Sequence, residues 1–302
     1  MENKRLDHKF AAYTFMLIVG CMLALAVVLK SVATDFNNFW ESSVAQIVLY
    51  GLFVGLFFVM CGQLKLKGRE IPKAIDLDKK VSWWNLGVVV LVSGLTITCF
   101  MLAMQGFSDI MIWLGYKQNG GTGPDGVGQY IMAVFTLCLL PAVVEELFFR
   151  GLILKGLMPM GKGVAVVASA FLFSLFHFSL EQTVYQFALG IIFALVVLKT
   201  GNLLYGMILH FLNNFFVLMT YIFWGDVLEL LTWDALTIVM AVGLVVLGAL
   251  MIVGAIKALR THGTETASPK TAKFWAVDNI GFYIASALGL CLWITMLFSG
   301  GG

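Results

Sequence analysis

Charge is what this sequence most lacks. Only 12% of its 302 residues are charged, while 60% are hydrophobic. An average soluble protein carries about 25% charged residues. A water-exposed domain of this size would have too little charge to cover itself, so most of the surface must face lipid. Paired cysteines are missing as well. Cys21, Cys61, Cys99, Cys138 and Cys291 lie isolated in apolar runs with no CxxC among them. That spacing supports neither a disulfide framework nor a cysteine-based metal site. The net charge of +2 is too small to attract nucleic acid, and no nucleic-acid partner is expected. HExxH is absent, and no convincing internal repeat of the kind many transporters carry is visible. The GxGxxG spelling at 121–126 follows no strand and reads as a glycine-rich turn.

Long apolar runs fill the space left by these absences. They fall at 10–29, 44–63, 84–104, 129–158, 163–178, 184–198, 203–223, 235–256 and 277–298, against the ~20 residues a spanning helix needs. Two are short and the fourth is long. The expected fold is therefore all-α: a polytopic transmembrane helix bundle of eight or nine spans around a polar intramembrane cavity. It forms one integral membrane domain over 1–302, with no soluble domain in the connections. The first run follows Lys4, Arg5 and Lys9 and is long enough to be a retained helix rather than a signal peptide. Of the 19 lysines and arginines, all but Lys30 and Lys117 fall in or beside alternate connections, with Arg150, Lys155 and Lys162 counted together around Gly151, giving seventeen against two. The positive-inside rule then puts the N-terminus in the cytoplasm and the C-terminus outside. Trp40, Trp83, Trp84, Trp224, Trp233 and Trp275 lie near the run ends, as interfacial tryptophans should.

A few polar residues interrupt the runs where the membrane is driest. An ionisable group at the centre of a span costs roughly 2.5–3.5 kcal/mol, so each calls for a partner or a task. Glu146 and Arg150 stand four apart on one helical face and can pair. Glu145 points about 100° away and has no local counter-ion. Pro141 leaves the carbonyl of Leu137 without its helical donor and bends the helix, which is tolerated in a membrane only where protein or trapped water satisfies the freed group. Phe173 and His177 repeat the four-residue spacing, as do His210 and Asn214. At 1.5 Å per residue, Glu145, His177, His210 and Asn214 reach overlapping mid-membrane depths from three runs. A carboxylate and an imidazole can hold a water and take its proton. A second imidazole and a carboxamide can donate to the oxyanion formed when that water attacks an amide. Amide hydrolysis needs both halves, and both are present.

These residues also carry a resemblance. Glu145-Glu146-Leu147-Phe148-Phe149-Arg150 reads as EExxxR, Phe173 to His177 as FxxxH, and His210 to Asn214 as HxxxN. In that order, over 129–221, the sequence resembles the CPBP (CAAX protease and bacteriocin-processing, or ABI) family of intramembrane glutamic endopeptidases, which includes the type II CAAX prenyl proteases. The runs in 1–128 and 222–302 are flanking helices that match only in general character. The resemblance implies Glu145 as the carboxylate activating water with His177, and His210 with Asn214 as the oxyanion site. Glu146, Arg150 and Phe173 would support them. Asn213 stands outside the motif and reads as a packing or water-binding neighbour. The resemblance further implies a bundle of about eight helices around a cavity open to the cytoplasm and to lipid. The expected partners are the lipid bilayer and a membrane-associated peptide or protein tail entering from the cytoplasmic side.

No cofactor beyond the catalytic water is expected. Glu145, His177 and His210 are also types that can ligate zinc, which makes a zinc-dependent membrane peptidase the nearest rival. A non-catalytic scaffold, a peptide-immunity protein or a proton-coupled transporter is the rival from another class, because midplane acids and histidines also serve proton relays. The expected location is a bacterial plasma membrane.

Overall fold

The structure, a computed structural model, describes residues 6–32, 38–113, 124–229 and 235–260. Eight of the nine apolar runs become helices, and the run at 277–298 lies outside the described residues. The helices are α1 (His8–Val32), α2 (Phe39–Gln63), the short α3 (Glu70–Ala74), α4 (Trp83–Trp113), α5 (Val127–Met160), α6 (Lys162–Phe176), α7 (Leu180–Thr200), α8 (Leu203–Glu229) and α9 (Ala235–Ala258). No strand occurs among the described residues. Among the described residues, six helices are long and apolar enough to cross a membrane. Their outward faces carry valine, leucine, phenylalanine and tryptophan, as lipid contact requires. The molecule is an all-α polytopic bundle.

Local chemistry sets the helix ends. Asn38 caps α2 by accepting from the Trp40 amide (2.9 Å). Ser179 caps α7 by accepting from the Gln182 amide, and Gly201 ends that helix in the left-handed region at φ 61°. Such caps satisfy backbone groups that have no partner inside the helix. Pro159 closes α5 in a 3-10 turn at Met158–Met160.

The two ends of the bundle differ. At the basic end, the 64–82 connection folds back across the helix termini. Asp76 accepts from Lys155 Nζ (2.7 Å), and its carbonyl accepts from the Leu203 amide (2.8 Å). Lys155 also donates to the Ala74 carbonyl (2.7 Å), and the Asn202 amide group donates to the Lys79 carbonyl (3.0 Å). Tyr205 Oη donates to the Ser82 carbonyl (3.1 Å). Ile75 is buried beneath this strap. Nearby, the Asn85 side chain exchanges hydrogen bonds with the backbone of Arg260. The starts of α4, α6 and α8 and the ends of α2, α5, α7 and α9 all lie at this end.

Helix α5 is continuous but irregular. Two π-helical stretches, Val134–Leu139 and Leu147–Ile153, flank an α-helical segment, Leu140–Glu146, that begins with Pro141 near its first turn. Wide turns of this kind cluster at functional sites. The helix runs on through Pro141, with a π-helical stretch on either side of its segment. Helix α6 has fifteen residues, about 22 Å at 1.5 Å each, less than the ~30 Å hydrocarbon core. Its turn into α7, with Phe178 at φ +46°, thus lies inside the bundle. Non-helical backbone at such depth is tolerated where it lines a water-filled cavity.

Close packing depends on one glycine here. A Cβ on Gly190 of α7 would lie 2.8 Å from the Ala170 Cα of α6, so this contact admits only hydrogen.

Candidate active site

Successive residues of α5 face opposite ways, as their 100° separation predicts. Glu146 points into the bundle. Its Oε1 accepts from Arg150 (2.6 Å) and lies 3.1 Å from His210 Nδ1 of α8. Arg150 is 1% exposed. It also donates to the Gly190 carbonyl (3.2 Å) and stacks 4.3 Å from the Phe173 ring and 5.1 Å from Phe193. Sequence reading counted Arg150 among the basic flank of a connection. The structure withdraws it into the core, because a buried carboxylate needs a full counter-charge and aromatic faces accept a guanidinium. Gly206 of α8 leaves room for the pair, since a Cβ there would meet Glu146 Oε2 at 2.9 Å.

Glu145 faces the other way, toward α2 and the α6–α7 turn. Tyr50 Oη of α2 donates to its Oε1 (2.7 Å). Its Oε2 has no hydrogen-bond partner among the described residues and lies 3.8 Å from His177 Nε2. That distance is too long for a direct hydrogen bond, yet a water beside the pair can reach both at ~2.8 Å. His177 Nδ1 sits 2.8 Å from the Phe173 carbonyl. A carbonyl only accepts, so Nδ1 carries hydrogen and, in the neutral ring, Nε2 offers a lone pair toward Glu145. The Phe173 ring packs edge-on to both His177 (4.7 Å) and His210 (5.8 Å) between centroids. One phenylalanine thus orients both imidazoles and covers the guanidinium.

Asn214 donates from Nδ2 to the Leu137 carbonyl (3.1 Å), the group that Pro141 deprives of its helical donor. Asn213 is buried and bridges Tyr185 to Asn214: it accepts from Tyr185 Oη (2.7 Å) and donates to Asn214 Oδ1 (3.3 Å). It is a fixed link in a polar chain as well as a packing neighbour.

A cavity of about 840 Å³ brings Glu145, His177, His210 and Asn214 to one surface, together with Tyr50, Gln46, Gln182 and Tyr185. Glu146, Arg150 and Phe173 stand behind its wall. The lining residues come from the first half of α2 and of α5, the start of α7 and the middle and later part of α8. Phe39 and Pro124 mark its outer reach, at the end of the bundle away from the 64–82 strap. Among the described residues no three histidine, cysteine, aspartate or glutamate side chains form a metal-ligand group.

Tyr50 escaped sequence reading. Its one signal was a hydroxyl in the middle of an uninterrupted apolar run, a group that must find a partner when buried. A hydrogen bond to a carboxylate contributes about 1.5–3 kcal/mol. Tyr50→Phe should therefore leave Glu145 loosely held and lower kcat by about tenfold, ~1.4 kcal/mol of barrier, with KM little changed. Steady-state kinetics on a cleaved peptide would check this, and an unaltered kcat would reduce Tyr50 to a packing residue.

The helices and the cavity define a multi-pass membrane protein with a buried acid, histidine and amide constellation. Residues 127–216 match the model of the Rce1-like type II CAAX prenyl endopeptidases. Through this segment, a little under a third of the chain, the sequence is similar to the CAAX protease (CPBP) family. The matched stretch contains Glu145, Glu146, Arg150, Phe173, His177, His210 and Asn214, whereas Tyr50 lies outside it. No curated protein and no solved structure matches the chain.

Proposed function

We propose that this chain is an intramembrane endopeptidase that cleaves membrane-associated peptides or protein tails with a water activated by Glu145 and His177. The observation that carries the reading is the 3.8 Å gap between Glu145 Oε2 and His177 Nε2, two acceptors facing one cavity. A water seated there donates one hydrogen to each and turns its lone pairs toward a substrate carbonyl. As it attacks the carbonyl carbon, its proton passes to Glu145, and the carbonyl oxygen becomes an oxyanion. His210, held at Nδ1 by Glu146, lines the cavity beside the developing oxyanion. Asn214 has a second amide hydrogen beyond the one given to Leu137. These two side chains stabilise the oxyanion. Collapse breaks the C–N bond, and Glu145 returns the proton to the leaving amine.

The proposed location is a bacterial plasma membrane, with the N-terminus in the cytoplasm.

The test is hydrolysis by purified protein in lipid vesicles, read by mass spectrometry on a library of membrane-anchored peptides with and without a strong chelator. Cleavage that persists in the chelator is the expected result. Activity lost to the chelator and restored by zinc would replace this mechanism with a metal-dependent one. An intact library would favour a non-catalytic role.

A further inference from the structure

The cavity and the basic connections lie at opposite ends of the bundle. The strap of residues 64–82 carries Lys65, Lys67, Arg69, Lys73, Lys79 and Lys80 and is bonded to the ends of α5 and α8. Lys162 begins α6, and Lys199 and Lys257 stand in the last turns of α7 and α9, so their charges gather at the same end. Among the described residues, with Arg150 buried, twelve lysines and arginines lie on this side against Lys30 on the other. The imbalance survives the correction, and it identifies the strap end as cytoplasmic by the positive-inside rule.

The cavity is built from the other halves of the same helices. Phe39, Ser42, Ser43 and Gln46 belong to the first turns of α2, Pro124 precedes α5, and Gln182 with Gln186 opens α7. None of the lining residues is a lysine or arginine. Exposed Glu41 and Asp125 adjoin the lining residues Ser42 and Pro124 in sequence. Between Glu145 and the cytoplasmic face lie the buried side chains of Phe148, Phe149, Arg150, Leu152, Ile153, Leu154 and Leu157, roughly fifteen residues or about 22 Å of packed helix. The cavity's known walls therefore rise away from the cytoplasm.

We infer that the site is served from the extracytoplasmic side. Its substrates are peptide segments exposed at, or just within, the outer leaflet, such as the external juxtamembrane stretch of a membrane protein or a secreted peptide held at the surface. This departs from the cytoplasmic entry that the family resemblance implied, and it rests on the hydrolase reading above for the word substrate. A CAAX tail presented by the cytoplasm would meet the packed, basic end.

Glu41→Cys and Lys67→Cys add one reporter thiol each at the two ends. A membrane-impermeant maleimide is applied to intact spheroplasts expressing each variant, with the wild type as background for the native cysteines. Glu41→Cys should be labelled in intact spheroplasts, and Lys67→Cys only after the membrane is opened. Labelling Glu41→Cys from outside, beside the cavity mouth, should then abolish the processing that the same variant performs before labelling. The reverse pattern, or both thiols reacting from one side, would overturn the inference. Should labelling follow the expected pattern while neither this variant nor the wild type cleaves any peptide, the hydrolase reading fails and the orientation stands.

Discussion

Glu145→Gln is expected to reduce peptide hydrolysis by about 10²–10⁴-fold, the range removed with a positioned general base. The substitution keeps the shape and most of the hydrogen bonding: a glutamine Oε1 still accepts from Tyr50 Oη, whose partner it is at 2.7 Å. It replaces Oε2, the unpartnered oxygen facing His177, with an amide that cannot take a proton. Binding should therefore persist while turnover falls, so kcat drops with KM nearly constant. The measurement is turnover of a cleaved peptide together with binding of an uncleavable analogue. Membrane peptide profiles that are identical in cells carrying wild type and variant would remove Glu145 from the chemistry.

The second large effect concerns stability. Arg150 is enclosed by Glu146, the Gly190 carbonyl and the faces of Phe173 and Phe193. Arg150→Met keeps much of the side-chain volume but strands the Glu146 carboxylate in the core. Breaking a buried pair in this way costs about 3–5 kcal/mol, and a marked fall in the thermal unfolding midpoint in detergent should follow. Adding Glu146→Gln should recover part of that loss, because the stranded charge is gone. Equal destabilisation of the single and double variants would show that the guanidinium acts there through packing alone.

How far sequence carried the account differs from residue to residue. Glu145, His177, His210 and Asn214 stood out because polar groups are conspicuous in apolar runs, and helical rise alone put them at common depths. Glu146 and Arg150 were paired by their spacing, but their position in the core was hidden, since an arginine near a run's end reads as a flank. Tyr50 was hidden for a different reason: its ring blends into an apolar run, and its partner lies 95 residues away. The π-helical turns of α5 left no mark, because spacing arguments assume 3.6 residues per turn. The unsatisfied carbonyl of Leu137 was legible from Pro141, but its donor came from a helix whose neighbour could not be read locally. The helices were visible as runs of hydrophobicity, while the end of the bundle at which they part depends on which small residues let them close elsewhere, as Gly190 does against Ala170.

The bond from Asn214 to the Leu137 carbonyl has a mechanical consequence. A complete helix keeps its backbone bonds to itself, so neighbours slide or tilt past it when bilayer thickness changes. Here a missing rung in α5 is filled by a side chain of α8, which pins the two helices at one height. Tilting that accommodates a thicker or thinner bilayer must then carry both together, so the acid of one and the carboxamide of the other keep their alignment as the surrounding lipid varies.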